Sequence, residues 1–187
     1  MVAISATDLR NNTKIEHEGG LWVVIDYTFN AQSRGRGFVR CRLKNMLDGR
    51  VLDVNFRSTE KVERADVLMR QMEYLYEEPA GLVCMDPETY EQVIISHEAA
   101  GDALKYLLPN TMVDVMFHNG KPVSIETPIF VELKVTRAEP GLRGDTVSGA
   151  TKPATLETGL VVQVPLFIEE GDVLRVDTRT NSYVTRV

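Results

Sequence analysis

The sequence predicts an all-β protein built as three small barrels in a row, and three observations carry that prediction. Hydrophobic residues mostly alternate with polar ones, the period of a strand buried on one face. Gly, Pro, Asn and Asp interrupt the alternation at short intervals, as turns require. The interrupted segments then group into blocks of about 60 residues, a size at which a sheet curled into a barrel hides its edges around a modest core.

In the first block, residues 1–64, Leu21–Tyr27 reads as a strand. The polar stretch Asn30-Ala31-Gln32-Ser33-Arg34-Gly35-Arg36-Gly37 follows, and Phe38–Lys44 returns as a second strand. This is a hairpin with a longer loop than the tight two-residue kind. Asp48-Gly49 marks the next turn and Val51–Phe56 a third strand, while Ser58–Arg64 is polar and closes the block.

The second block, residues 65–128, has strand patterns at Val67–Tyr76, Leu82–Met85 and Glu91–Ser96. Between His97 and Leu108 the period changes: Ala100, Ala103, Leu104, Leu107 and Leu108 recur at helical spacing, Ser96 can cap the start and Pro109 ends it. One short helix is therefore expected there. Met112–Phe117 and Val123–Glu126 flank Asn119-Gly120, a hairpin signal. The third block, residues 129–187, opens with a strand at Phe130–Thr136. A long loop is expected from Pro140 to Pro153, then strands at Gly159–Val164, Asp172–Asp177 and Ser182–Val187.

Composition narrows the function classes. The 187 residues are 43% hydrophobic and 26% charged, an ordinary globular balance. No apolar run approaches the roughly 18 residues of a membrane span, and Met1-Val2-Ala3-Ile4-Ser5 does not open a secretory signal. Cys41 and Cys84 are far apart and form no framework, so a reducing, cytoplasmic setting is expected.

The net charge of −6 argues against a nucleic-acid partner until it is divided among the blocks. The first carries 11 Lys/Arg against 8 Asp/Glu, the second 3 against 11 and the third 7 against 8. The first block thus has its own electrostatic character. Between residues 27 and 47 there are five cations (Arg34, Arg36, Arg40, Arg42, Lys44) and no acid. Arg40, Arg42 and Lys44 share one parity and so one face of the returning strand; Val39, Cys41 and Leu43 face the core. The arrangement is a basic ribbon ending in two arginines on a glycine-jointed loop, suited to RNA phosphate or a stacked base. The competing reading is a solvated strand face that blunts an edge.

Nothing in the sequence supplies catalytic machinery. His17, His97 and His118 show no paired-ligand spacing, and neither a phosphate-cradling GxxxxGK[ST] run nor a GxSxG elbow is present. Cys41 and Cys84 read as packed thiols, and the acids of the second block as a solvated face. A non-enzymatic protein without metal or cofactor is expected.

The residues of the third block then become specific. Gly141-Leu142-Arg143-Gly144-Asp145-Thr146, Lys152-Pro153-Ala154-Thr155-Leu156-Glu157-Thr158-Gly159, Val164-Pro165-Leu166-Phe167 with Gly171-Asp172, and Val176-Asp177-Thr178-Arg179-Thr180 with Tyr183 and Arg186 together resemble the signature of the bacterial elongation factor P family. Phe29-Asn30, Leu43-Lys44-Asn45, Ser58-Thr59, Glu73–Tyr76 and Phe130–Leu133 extend the resemblance across essentially the whole chain.

The resemblance implies a first barrel of KOW/SH3-like type and second and third barrels of OB-like type, arranged in an L like tRNA in shape and negative charge. It implies a translation elongation factor that binds the 70S ribosome between the peptidyl-tRNA and exit sites and promotes peptide-bond formation at stalled polyproline sequences. Arg34, flanked by Ser33, Gly35 and Arg36, stands where the family's hairpin tip reaches the acceptor end of tRNA. Many members carry a modified lysine there; another branch carries an arginine modified with rhamnose by a glycosyltransferase. Both a rhamnosylated and an unmodified Arg34 fit this sequence. Gly144, Asp145 and Thr146 match the loop near the mRNA codon in the exit site, and Tyr183 and Arg186 match positions that contact tRNA. Arg40, Arg42 and Lys44 are expected on RNA phosphates. The alternatives are a general RNA-binding barrel protein and a divergent paralogue of the factor.

Overall fold

The computed structural model describes residues 2–30, 37–140 and 150–187. Three antiparallel sheets account for nearly all of its regular structure. The chain divides into two compact units: residues 1–68 with 118–121, and residues 69–117 with 122–187.

The first sheet contains β1 (Val2–Ser5), β2 (Lys14–His17), β3 (Gly20–Asn30), β4 (Phe38–Asn45), β5 (Val51–Arg57) and β6 (Lys61–Arg64), in the order β1-β6-β2-β3-β4-β5. Its core is Ala6, Leu9, Ile15, Trp22, Val24, Val39, Cys41, Leu43, Phe56 and Val62. β4 alternates buried and exposed along its length, so Val39, Cys41 and Leu43 enter the core as their parity requires. The β4–β5 turn is closed by Asn45, whose buried Oδ1 accepts the amides of Leu47 (2.8 Å) and Asp48 (3.1 Å), and by Gly49 at φ +74°. The polar segment before residue 64 proves to be a strand: Val62 alone faces the core while β6 joins β1 and β2.

The second sheet holds β7 (Val67–Glu78), β8 (Gly81–Met85), β9 (Gln92–Ile95), β10 (Thr111–His118) and β11 (Lys121–Glu126), ordered β11-β10-β7-β8-β9. Gly81 sits at φ +148°, where a Cβ would fall 2.0 Å from the Ile95 carbonyl oxygen, so only glycine lets β8 run against β9 there. The expected helix is present but broken. α1 (His97–Ala100) is a single turn, capped as predicted by Ser96 Oγ accepting the Ala99 amide at 3.2 Å. Gly101 then takes φ +52°, and the chain resumes as a 3₁₀ turn at Ala103–Tyr106. The apolar spacing still works, because Ala100, Ala103 and Leu107 all reach the second core. Tyr106 and Leu108 turn the other way and join the third.

The third sheet holds β12 (Phe130–Ala138), β13 (Thr151–Leu156), β14 (Val161–Pro165), β15 (Val173–Asp177) and β16 (Ser182–Arg186), ordered β14-β13-β12-β15-β16. β14 also approaches β16, so the sheet curls on itself in barrel fashion. Here the expected loop from Pro140 to Pro153 needs correction, since Thr151, Lys152 and Pro153 belong to β13. Pro153 is tolerated because β13 pairs with β12 only from Ala154 onward; residues 151–153 are hydrogen-bonded on the β14 side alone. Among the described residues no helix is long and apolar enough to cross a membrane.

Candidate nucleic-acid interface

The basic ribbon exists on the outward face of the first sheet. Arg40, Arg42 and Lys44 are exposed along β4, with the strand's buried residues behind them. Register supplies what sequence reasoning could not see, namely the neighbours of that row. Arg42 lies between Asp26 on β3 and Asp53 on β5, and Arg40 between Thr28 and Asn55. Arg40 Nη2 stands 3.7 Å from Asp53 Oδ2, both side chains more than half exposed. Asp26 reaches this face because the β3–β4 pairing shifts between Val24 and Asp26: an extra residue, Ile25, re-aims the strand. The ribbon is therefore basic but flanked by two carboxylates. Among the described residues, Arg42 and Lys44 have no carboxylate within ion-pair distance.

Behind this face Cys41 is fully buried, and burial, reinforced by the Asp26 charge, pushes its thiol up to about 11. Burial alone does the same for Cys84, also to about 11. Both thiols are free and protonated at neutral pH, which agrees with their reading as core residues. His17 packs edge-on against Phe56 with ring centroids 5.4 Å apart, and His97 stands 3.7 Å from Glu77. His118 pairs with Glu16 at 2.9 Å inside the first unit. Among the described residues no group of three or more His, Cys, Asp or Glu side chains converges to hold a metal ion.

The hairpin-tip residues Ser33, Arg34, Gly35 and Arg36 and the loop residues Gly144, Asp145 and Thr146 lie outside the described residues. What can be placed is their support. Asn30 pairs with Phe38 in the last rung before the tip, and the Gly37 carbonyl accepts the Ser58 amide at 2.9 Å. Lys152, which the sequence places in the expected Pro140–Pro153 loop, lies instead in β13. It is 8% exposed, and Nζ donates to the Glu139 carbonyl at 2.6 Å, tying the two ends of the 139–152 segment together.

At the far end of the third sheet, Asp177 and Arg179 form a two-pronged pair, Nε to Oδ1 at 3.1 Å and Nη2 to Oδ2 at 2.7 Å. The arginine hydrogen bonds hold the Asp177 carboxyl below its ordinary value. Tyr183 is half-buried against the third core. Arg186 lies over the exposed Phe167 ring at 5.7 Å and 3.6 Å from Asp172, with about half its side chain in solvent. The three anchors Asp26, Asp53 and Lys152 were not legible in the sequence, because each owes its position to strand pairing.

Comparison with known proteins adds three kinds of likeness. Family models match residues 5–62 (the KOW-like domain of elongation factor P), 67–125 (its OB domain) and 131–186 (its C-terminal domain). Curated relatives named Elongation factor P include those of Caldanaerobacter subterraneus subsp. tengcongensis, 46% identical, and Coprothermobacter proteolyticus, 48% identical. Each aligns over 184 residues, 98% of this chain and 100% or 99% of the relative. Among solved structures, eukaryotic translation initiation factor 5A from Methanococcus jannaschii matches with a TM-score of 0.52 at 16% identity, over 67% of this chain and 92% of that one. A translation initiation factor eif-5a family protein from Naegleria fowleri matches at 0.55 and 11%, over 67% and 97%. At those identities the structural likeness concerns the fold.

Proposed function

The chain belongs to the elongation factor P family, and on that premise we propose that it is a cytoplasmic translation elongation factor that binds the 70S ribosome between the peptidyl-tRNA and exit sites and promotes peptide-bond formation at stalled polyproline sequences. The observation that carries the reading is the exposed row Arg40, Arg42 and Lys44 on the strand that returns from the Arg34 tip. Guanidinium and ammonium groups in a row at strand spacing suit a succession of RNA phosphates.

In this reading the chain performs no bond chemistry. Proline is a poor partner in peptide transfer because its ring locks the backbone, and holding peptidyl-tRNA in a reactive geometry removes an orientational cost of several kcal/mol, on the order of what intramolecular reactions gain. Arg34 contacts the acceptor end of peptidyl-tRNA, with Ser33, Gly35 and Arg36 shaping the tip. Arg34 acts there in one of two states, bare or carrying rhamnose from an arginine-modifying glycosyltransferase. Gly144, Asp145 and Thr146 approach the mRNA codon in the exit site. Arg186, with about half its side chain in solvent, contacts tRNA together with Tyr183, which is half-buried against the third core. The domains are 1–64, 65–128 and 129–187.

The test is synthesis of a Pro-Pro-Pro peptide by purified ribosomes. Wild-type protein is expected to relieve the stall, and Arg34→Ala to lose most of that relief with an unchanged thermal midpoint, since a loop tip contributes little packing. Relief unaffected by Arg34→Ala would overturn the role of the tip. An intact mass from the native host equal to that of the bare sequence would remove the rhamnose.

A further inference from the structure

We infer that Arg10 forms a second anion-binding site on the first barrel, separate from the β4 row and shaped for one phosphodiester of RNA; this deepens the function proposed above and rests on it. The site starts from a plug in the core. Ala6 and Leu9, both fully buried, seat the short 3₁₀ turn Ala6–Asp8, and the Ala6 amide donates to the Glu60 carbonyl at 2.9 Å. The Thr7 and Leu9 carbonyls are thereby held in place, and Arg10 Nη1 donates to both, at 2.8 and 2.7 Å. Thr13 closes the backbone around Arg10. The Arg10 amide donates to Thr13 Oγ1 at 3.1 Å, and the Thr13 amide donates to the Arg10 carbonyl at 3.0 Å. One face of the guanidinium lies over the Tyr27 ring, 5.3 Å from its centroid, and Tyr27 itself packs against the first core.

The side chain is thus fixed by two carbonyls and a ring, yet the residue is exposed. An exposed arginine ordinarily has to be ordered when it binds, at an entropic cost; here most of that ordering already exists. Nη1 is taken up by the carbonyls, which leaves Nε–H and Nη2–H, the side-on fork that matches two oxygens of a phosphate. Among the described residues neither atom has a hydrogen-bond partner, and Arg10 has no carboxylate within ion-pair distance. The nearby Asp8 lines a groove that it shares with Lys14 and Arg64. A cation whose only task was to cap the turn's carbonyls would need Nη1 alone, so the open fork is what points to a ligand. The site is also separate from the ribbon. Tyr27 stands opposite the buried Cys41 and shares its side of the sheet, whereas Arg40, Arg42 and Lys44 project from the other.

The experiment uses the full chain with Arg10→Ala and Arg10→Lys, and Arg42→Ala for comparison. Thermal midpoints are measured beside equilibrium binding to 70S ribosomes carrying peptidyl-tRNA across a salt series. Arg10→Ala is expected to weaken binding about tenfold and to lower the slope of log affinity against log salt by about 0.7–0.9. Arg10→Lys keeps the slope, because the charge remains, but still binds a few fold more weakly because the fork is gone. In a second arm a short RNA duplex is titrated into the parent and the Arg10 Nε–H proton is followed by NMR; it is expected to shift. A lowered midpoint with an unchanged slope would make Arg10 only a cap for the turn and overturn the site, as would full rescue by Arg10→Lys. Weaker ribosome binding by Arg10→Ala with no shift on adding RNA would assign the fork to a protein carboxylate and overturn the RNA site. If Arg42→Ala alters the slope and Arg10→Ala does not, the proposed function stands and the Arg10 site falls. If the parent neither binds ribosomes nor relieves the Pro-Pro-Pro stall while RNA still shifts the Arg10 proton, the site stands and the proposed function falls.

Discussion

Replacing Asp53 by asparagine is expected to strengthen binding to the ribosome, an effect that only the strand register discloses. The Asp53 carboxylate lies 3.7 Å from the Arg40 guanidinium, and the pair is solvated, with side-chain exposures of 52% and 62%. Such exposed pairs contribute about 0–1 kcal/mol to stability, so Asp53→Asn leaves the thermal midpoint nearly unchanged. Against RNA its charge acts differently. Two unit charges about 4 Å apart in water interact by about 1 kcal/mol, and the carboxylate both occupies Arg40 and repels the phosphate that Arg40 would meet. Removing it tightens binding by up to about fivefold at low ionic strength, shrinking as the Debye length falls to roughly 8 Å at physiological salt. Arg42→Ala and Lys44→Ala work in the opposite sense, each lowering the slope of log affinity against log salt by about 0.7–0.9, the amount expected when one phosphate is no longer neutralised. The assay is equilibrium binding to 70S ribosomes carrying peptidyl-tRNA across a salt series from about 50 to 200 mM. A slope unaltered in both Arg42→Ala and Lys44→Ala, together with weakened or equal binding by Asp53→Asn, would refute an RNA-facing role for this surface.

Three further outcomes are expected. Native Cys41 and Cys84 resist iodoacetamide at pH 8 and react on unfolding; because both thiols are raised from the ordinary 9.0 to about 11 in the fold, their contribution to stability is full below pH 9 and is lost as pH rises towards 11. Rapid labelling of the folded protein would contradict their burial. Gly81→Ala forces a Cβ into the Ile95 carbonyl and a strained φ, so a loss of at least about 3 kcal/mol is expected in denaturant unfolding; a near-neutral result would mean β8 and β9 part easily. Asp177 is held below its ordinary 3.8 mainly by the Arg179 hydrogen bonds, so its contribution is present above that pH and is lost as pH falls through the depressed value. Asp177→Asn should flatten that acid limb in thermal midpoints measured against pH.

What the sequence by itself determined is the local pattern. Alternation along Phe38–Lys44 assigned Arg40, Arg42 and Lys44 to one face and Val39, Cys41 and Leu43 to the other, because successive side chains of any strand point to opposite sides. Ser96 as a cap and Asn119-Gly120 as a turn were equally local, each set by the conformations those residues favour. The tertiary structure alone decided who stands beside whom. β1, β2 and β6 span four residues each and bury too little to show a period; they are strands because they complete one another's hydrogen bonds. Pro153 argued for a loop until one-sided pairing gave it a place in β13, and the same strand turned Lys152 from an expected loop cation into a buried tie to Glu139. The basic ribbon was legible as charge, whereas Asp26 and Asp53, which temper it, came to its flanks through one extra residue in β3 and the register of β5. Backbone periodicity is a property of neighbours in sequence, but register is fixed by contacts between residues far apart in the chain, and it is register that sets the electrostatics of this face.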